Sequence, residues 1–435
     1  MCVASMRRRV GCGLKTVALF VMSVALLFLS QTAKLRPTQE SETSKEGLTP
    51  PSDRGYVLAL RIWEQLLAGS RNLLQMQCWA NTLGLGVSVI QPSLLSDRSR
   101  LGLSLARDST AVSKLGLSAL FNMSTWAQQW TETGLLAPLV SRNDLLSEIS
   151  QFKKSVILVE VKYLSLNQDA KCDFTWNVNG VMKNLNQYWN LNVARNVCIN
   201  FQERISQNLF RSLIFGDLSP QNSLVIFKEW RGLGPRRMYV QLPSCFKPVD
   251  FHHLRLSDQV WKDAENYVNT HLGGISQFIS VSARFERMSR EHARMTVEQK
   301  QREIAVLIPQ ILNTVREIQI KHIVKKVHLA CDYGQFGSGT FRSSNYYHSK
   351  GMLVKFQNDL YNGTVSFAEY EESYRALSST NPAYVAVVQM AVSSMGRCLV
   401  QIGWGHVTNM IKELFMRSHQ SPYCIKCIPT GNYSL

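Results

Sequence analysis

Hydrophobic and polar positions follow two different periods along the chain. Short apolar runs, typical of buried strands, alternate with stretches in which apolar residues recur at helical spacing. Strands separated by helices favour parallel sheets, so the pattern predicts an α/β protein. The apolar runs predict strands over residues 85–90, 155–161, 223–227, 277–283, 327–331 and 398–403.

Three further stretches predict helices. Apolar residues at helical spacing predict one over residues 56–79 and another over residues 410–416. The stretch 296–322 opens on Thr-x-x-Gln, a capping-box pattern that marks the start of a helix. Pro309 lies inside this stretch, and because proline removes a backbone donor and clashes with the preceding turn, it predicts a break there.

The N-terminal residues carry the pattern of a membrane signal. Residues 1–15 hold four basic residues and no acidic one, and residues 16–30 contain no charge. The positive-inside rule keeps residues 1–15 in the cytosol and predicts a single signal-anchor helix over 16–31. A cleaved signal peptide is the alternative, since a run of this length also suits its apolar region. Both interpretations send the rest of the chain into the secretory lumen, with residues 32–55, polar and holding three prolines, as an extended stem.

Composition restricts the class of protein and of partner. Hydrophobic residues make up 45% of the 435 residues, which excludes a disordered chain and allows two domains of ordinary size. The net charge is +17, and removing the four basic residues of 1–15 leaves +13. Such a charge attracts nucleic acid, anionic lipid, or ligands with phosphate or sulfate groups, and a lumenal address argues against nucleic acid. A polar break near residues 247–257 predicts two units, 56–246 and 247–435.

Three tripeptides match the acceptor pattern for N-glycosylation, in agreement with a lumenal address. They make Asn122, Asn362 and Asn432 candidate glycosylation sites. Asn362 is followed by glycine, and the alternative there is an ordinary tight turn.

Eight cysteines follow the predicted anchor, an even number that permits full pairing. Their moderate separation predicts a disulfide between Cys172 and Cys198. Cys424 is expected to pair either with Cys427 or with a distant lumenal cysteine. No second Cys-x-x-Cys and no spaced histidine pair completes a zinc set, so the sequence predicts no metal site.

Polar motifs follow three of the predicted strands, at the ends where open α/β sheets bind ligands. Arg284 follows the strand predicted over 277–283, and its planar fork suits a phosphate. The alternative is a solvated loop with an Arg–Glu ion pair. Asp332 follows the next strand and opens a glycine-rich turn, whose backbone N–H groups can approach a phosphate or a sugar. The alternative there is a turn that binds nothing.

The third motif follows the last of these strands. Gly405, His406 and Thr408 lie between the strand and a helix, which is the arrangement of a general anion site. The alternative is that Thr408 or Asn409 only caps the helix.

In this order and on this topology, the three motifs resemble those of the GDP-fucose-dependent fucosyltransferase superfamily, which includes the protein O-fucosyltransferases. The match is most similar to an animal branch with one transmembrane anchor. The resemblance implies that Arg284 is the catalytic residue and holds the β-phosphate of GDP-fucose, while Asp332 contacts the guanine. The family's His-x-Arg motif has Ser282 at its histidine position here, and His406-Val407 replaces the family's Ser-Phe.

A further motif resembles the glycine–asparagine donor loop of the family. The donor-binding residues that the resemblance implies are Gly69, Asn72, Ser282, Arg284, Asp332, Gly405, His406 and Thr408.

The resemblance also implies an architecture and an activity. Such enzymes have two Rossmann-like domains of the GT-B glycosyltransferase type, here 56–246 on the acceptor side and 247–435 on the nucleotide-sugar side. They need no metal or other cofactor, and GDP-fucose is their donor substrate. The expected function is a Golgi or endoplasmic-reticulum type II membrane enzyme that transfers fucose to a glycan or glycoprotein acceptor. The alternatives are a non-catalytic binding protein of this fold and a transferase that uses another donor.

Overall fold

The protein is represented by a computed structural model that describes part of the chain. The described residues are 54–63, 66–84, 86–95, 101–103, 112–126, 132, 134–149, 155–162, 178–201, 203–234, 238–246, 254–284, 296–331, 382–403, 405–419 and 423–428. They belong to the second of two units into which contacts divide the chain, Met1–Thr49 and Pro50–Leu435. The predicted anchor at 16–31 lies outside them, and within them no helix has the length and hydropathy needed to cross a membrane.

Two parallel sheets and a small antiparallel sheet organise the described residues. The strands are β1 Gly55–Ala59, β2 Val87–Ile90, β3 Ser93–Leu95, β4 Leu101–Gly102, β5 Val112–Gly116, β6 Leu139–Val140, β7 Ser155–Lys162, β8 Val193–Asn200, β9 Ser223–Phe227, β10 Phe278–Ala283, β11 Lys326–Cys331, β12 Cys398–Ile402 and β13 Ile425–Ile428. The first sheet has the order β6-β2-β1-β9-β7-β8 and the second β11-β10-β12-β13. All neighbouring strands in both are parallel, which confirms the predicted α/β class with parallel sheets.

Helices connect and cover these strands. They are α1 Leu66–Thr82, α2 Arg142–Ile149, α3 Val178–Trp189, α4 Gln207–Phe215, α5 Asp258–Tyr267, α6 Val297–His322, α7 Pro382–Ser394 and α8 His406–Ser418. A π-helical turn, Val268–Leu272, extends α5. Because parallel strands need crossover connections, this alternation is what the two parallel sheets require.

The prediction of one helix over residues 56–79 is wrong in its first part. Gly55–Ala59 is the strand β1, and the helix begins only at Leu66. Every residue of β1 is buried, since the strand is central in its sheet and covered on both faces. A strand buried on both faces has no polar alternation, so its apolar residues also fit a helical spacing.

The predicted break at Pro309 is also wrong. Helix α6 continues through Pro309 as one helix of 26 residues, and its N-terminus has the predicted capping box. The side chains Ile304, Leu307 and Ile311, on both sides of the proline, are buried against the second sheet. This burial offsets the cost of a proline inside a helix, which is roughly 3 kcal/mol.

The second sheet packs against different helices on its two faces. Ile279 and Val281 of β10 pack with α6. Phe278 points to the opposite face and belongs to an apolar cluster that also contains Val388 of α7 and Trp79 of α1. The same cluster includes residues of α8, so one continuous core joins helices that begin at both parallel sheets.

Polar side chains are also buried in this part of the protein, and burial shifts the pKa of two of them, Tyr384 and His328. Tyr384 of α7 donates a hydrogen bond of 2.6 Å to Oδ2 of Asp263. Burial, and to a smaller extent this bond, raises the pKa of Tyr384. Gln259 donates to the other carboxylate oxygen of Asp263 at 2.8 Å. Burial lowers the pKa of His328, on β11, to about 3.

The disulfides decide between the two partners that were predicted for Cys424. Cys424 bonds to the distant Cys398 and not to Cys427. A second disulfide joins Cys78 and Cys245, a pair for which the sequence made no prediction. Cys198 is disulfide-bonded, but its predicted partner, residue 172, lies outside the described residues. The pair Cys172–Cys198 therefore stays a prediction.

Candidate functional site

The carboxyl edge of the second sheet brings together two of the three predicted motifs. Strands β10 and β12 are parallel neighbours, with Ala283 opposite Ile402. Arg284 directly follows β10, and its backbone N–H donates to the carbonyl of Ile402 at 3.0 Å. The connection from β12 to α8 also starts at Ile402, the last residue of β12. Arg284 and the N-terminus of α8 therefore leave the sheet at adjacent points of one edge.

Helix α8 begins without a side-chain cap. Gly405 is the N-cap residue with φ 136° and ψ −179°, a backbone conformation that glycine adopts readily, and no side chain caps the helix there. The first intrahelical bond runs from Asn409 N–H to the Gly405 carbonyl at 3.0 Å. Capping by Thr408 or Asn409 is therefore wrong, because both residues lie inside the first turn. The helical N–H groups that precede Asn409 have no intrahelical acceptor and carry the positive end of the helix dipole, which suits an anion.

Thr408 adds a buried hydroxyl to this first turn. Its side chain is 6% exposed, and its Oγ1 has no hydrogen-bond partner among the residues that the structure describes. Its carbonyl accepts a 2.8 Å bond from Nε2 of Gln401, which ties the helix start to β12. A buried hydroxyl without a protein partner is costly, so it is suited to complete its bonding with a ligand.

Ser282 lies behind this edge rather than on it. The residue is 1% exposed on β10 and stands opposite Gln401 in the register of β10 and β12. Its short side chain is enclosed within the sheet. Ser282 is thus close to Arg284 in the sequence, but it lies in the interior of the protein.

Gly69 and Asn72, expected in a donor loop, both lie within the helix α1 and are buried. Asn72 donates from Nδ2 to the carbonyl of Trp63 at 3.0 Å, and its own carbonyl accepts a 2.8 Å bond from Nε1 of Trp230. These bonds hold the connection between β1 and α1 against the end of β9. The local helix is a correction to the expected loop; the donor-binding role stays a prediction.

Several predicted residues lie outside the described part of the chain. They are Asp332, Asn362 and Asn432. Asn122 is described: its Oδ1 accepts bonds from Ser124 Oγ at 2.6 Å and from the Thr125 N–H at 3.2 Å. Its glycosylation stays a prediction.

Within the described residues, one group has the residue types of a metal site. His322, Cys398 and Cys424 offer ligand atoms within 4.8 Å of one another. The two sulfur atoms form a disulfide, and Nε2 of His322 lies 3.7 Å from Sγ of Cys424. Because thiolates bind metals and disulfide sulfurs do not offer that charge, the oxidised group is a packing contact.

Sequence reasoning missed a charged cluster at the carboxyl edge of the first sheet. Arg61 follows β1, and Glu229 and Arg231 follow β9. Nε and Nη2 of Arg231 both lie 2.8 Å from Oε2 of Glu229, and Nε of Arg61 lies 3.8 Å from Oε1. The available signal was a run of charged residues directly after the apolar segment 223–227.

Comparisons with known proteins find similarity only among solved structures. No protein-family profile and no curated protein matches the chain. The chain is similar to POFUT1 in complex with GDP, at 12% identity and a TM-score of 0.47, over 87% of this chain and 99% of that one. POFUT1 in complex with GDP-fucose has the same identity, score and coverage. A variant of FUT1 from Arabidopsis thaliana in complex with GDP has 11% identity and a TM-score of 0.35, over 90% of this chain and 73% of that one.

Proposed function

We propose that this protein is a glycosyltransferase that transfers fucose from GDP-fucose to a glycan or protein acceptor. The observation that carries the proposal is that Arg284 and the N-terminus of α8 follow neighbouring strands at the same edge of the second sheet. The bond from the Arg284 N–H to the Ile402 carbonyl joins these two strand ends. An arginine that follows a strand end next to a helix N-terminus belongs to an arrangement that binds phosphate groups. The motif resemblance assigns the diphosphate of a nucleotide sugar to that position.

The chemistry follows from where charge appears during transfer. The bond between fucose and the β-phosphate breaks, and negative charge grows on the phosphate oxygens as the acceptor oxygen forms the new bond. In this proposal, Arg284 and the first N–H groups of α8 stabilise that charge. Loss of one comparable donor raises the barrier by about 3 kcal/mol. The Thr408 hydroxyl supplies a further donor at the same helix start.

A non-catalytic binding protein of the same fold is the second candidate. Ser282 favours it, because the family's histidine position is occupied by a short side chain that is only 1% exposed. Such a protein binds the nucleotide without turnover. A donor other than GDP-fucose is the remaining alternative, since Ser282 and His406 both depart from the family's donor motifs.

The proposal includes the cellular location of the protein. Residues 1–15 are cytosolic, residues 16–31 anchor the chain, and the remainder is lumenal in the Golgi or endoplasmic reticulum. In cells, the protein is then found in the membrane fraction, and treatment with an N-glycosidase shifts its electrophoretic mobility. A cytosolic and unglycosylated protein contradicts this part of the proposal.

The decisive experiment compares Arg284→Ala and Arg284→Lys with the wild type. Calorimetric titration with GDP measures binding, and release of GDP from GDP-fucose with and without glycoprotein acceptors measures turnover. We expect Arg284→Ala to lose turnover by on the order of 100-fold or more, and Arg284→Lys not to restore it, because lysine lacks the planar fork.

Arg316→Ala is the matched control, since this exposed arginine lies on α6, away from the strand ends. It should bind GDP and turn over the donor like the wild type. GDP binding that is equal in Arg284→Ala and wild type contradicts the phosphate site. GDP binding without turnover in the wild type supports the binding protein.

A further inference from the structure

A second strand-end site lies in the first sheet, where the chain order reverses. From β1 the chain passes outward to β2, and from β7 it passes outward to β8 on the other side, which leaves β1 and β9 as central neighbours. In open parallel sheets, such a switch point opens a crevice at the carboxyl ends of the central strands. The side chains that follow β1 and β9 are therefore placed where such sheets bind ligands.

These side chains are mainly cationic and are held in position. Oε2 of Glu229 accepts both 2.8 Å contacts from Arg231, while Oε1 lies 3.8 Å from Nε of Arg61. The guanidinium of Arg231 also stacks on Trp63, 4.0 Å from the ring centroid. One carboxylate and one indole thus orient the two guanidinium groups at the same crevice.

Positive charge exceeds negative charge along this edge. Beside the arginines, Nζ of Lys228 lies 2.8 Å and Nζ of Lys162 3.3 Å from Oε1 of Glu160. The Glu160 and Glu229 side chains are 4% and 18% exposed, whereas the four cationic side chains are 26% to 39% exposed. The carboxylates lie inward and the cations outward, so the edge presents net positive charge to solvent.

We propose that Arg61 and Arg231 bind an oxyanion group of the acceptor, a sulfate, phosphate or carboxylate carried on a saccharide. The Arg61 and Arg231 side chains are 39% and 30% exposed, so both are accessible to a ligand while Glu229 orients them. Arginine forks match the paired oxygens of such groups. This inference rests on the proposed function, because it gives the acceptor class of the same transferase.

The two sites lie on elements that touch. Helix α1 follows β1 from the crevice, and it contacts α8, whose first turn belongs to the proposed donor site. The bond from Asn72 to the carbonyl of Trp63 fixes the segment between the two. An acceptor held by Arg61 and Arg231 is therefore bound on an element that packs against the donor-binding helix.

The test measures saccharide binding by the full-length protein without donor. The probes are a fluorescent heparin hexasaccharide, which carries sulfates and carboxylates, a galacturonate hexamer, which carries carboxylates only, and neutral maltohexaose. We expect one or both anionic probes to bind and the neutral probe not to bind. Binding of heparin alone identifies a sulfate preference, and equal affinity for all three probes overturns the proposal.

Three variants separate this site from the general positive charge. Arg231→Gln should weaken binding about tenfold or more, because charge-assisted hydrogen bonds to the anion are lost. Arg316→Gln, which removes the same charge from an exposed position on α6, should change the affinity less than twofold. Glu229→Gln should strengthen binding, since it removes a carboxylate that competes with the ligand for the two guanidinium groups.

Equal losses in Arg231→Gln and Arg316→Gln overturn the proposal, and so does unchanged or weaker binding in a folded Glu229→Gln. Thermal melting of each variant identifies any loss of fold, and Glu229→Gln decides the question if Arg231→Gln does not fold. GDP titration of the same samples keeps the two proposals apart. Intact anion binding without GDP binding refutes the donor site alone, and the reverse result refutes this inference alone.

Discussion

Acid should destabilise this protein through His328 in particular. The residue lies on β11 opposite Ser280 and is 3% exposed, with its ring centroid 6.2 Å from those of both Tyr267 and Phe278. Burial lowers its pKa from 6.5 to about 3, because the charged imidazolium cannot be solvated there.

The direction of the effect follows from this lowered pKa. The unfolded chain takes up a proton near pH 6.5, whereas the folded protein does so only near pH 3. The contribution of neutral His328 is therefore complete above pH 6.5 and is lost as the pH falls toward 3. Each pH unit in that window corresponds to about 1.4 kcal/mol, so the loss between pH 7 and pH 5 is about 2 kcal/mol.

Urea unfolding at pH 7 and pH 5 measures this loss. The variant His328→Gln lacks the titrating group. Between pH 7 and pH 5, the free energy of unfolding of this variant should therefore fall by about 2 kcal/mol less than that of the wild type. Phe278→Leu is the control, because it alters the packing beside His328 and leaves the imidazole in place. It should keep the pH dependence of the wild type at a lower overall stability.

If wild type and His328→Gln lose the same free energy of unfolding between pH 7 and pH 5, with equal m-values, the imidazole is not held neutral by burial. A loss in the wild type that vanishes in Phe278→Leu would instead assign the effect to packing.

Three further changes test the packing of the fold. Replacing Cys398 and Cys424 by serine should lower the free energy of unfolding by roughly 3 kcal/mol, given their sequence separation of 26 residues, and non-reducing denaturant titration measures it. Tyr384→Phe should cost about 1–3 kcal/mol in the same assay, because Oδ2 of buried Asp263 loses its 2.6 Å donor; an unchanged stability would exclude that role. Thr296→Ala should destabilise the start of α6 by about 1 kcal/mol, seen as faster amide exchange in its first turn, and equal exchange would contradict the capping box.

Local patterns in the sequence determined the class of fold and many of its elements. The apolar run 223–227 coincides with β9, and the runs predicted for β10 and β12 differ from the structure by one residue. The capping box of α6 was readable because its two hydrogen bonds join residues three apart. The positions of Arg284 and Gly405 after their strands were likewise visible in the sequence, since Arg284 follows an apolar run directly and Gly405 follows one after a short turn.

Contacts between distant residues decided the rest. β1 is a strand because two neighbouring strands pair with it, and α6 passes Pro309 because the second sheet covers its apolar face. The partner of Cys424 is Cys398 because parallel pairing of β12 and β13 brings their starts together. The crevice cluster depends on β1 and β9 being neighbours in the sheet, although the two strands are far apart in the chain, as the bridge between Ile62 and Trp230 also shows.

 Residues 60–222 lie between the two strands in the chain, so no local pattern could indicate that Arg61 and Arg231 meet at one carboxylate. Local hydrogen bonds and apolar periodicity are properties of neighbouring residues and can be predicted from the sequence, whereas strand order, disulfide partners and clusters at a sheet edge arise only when the whole chain has packed.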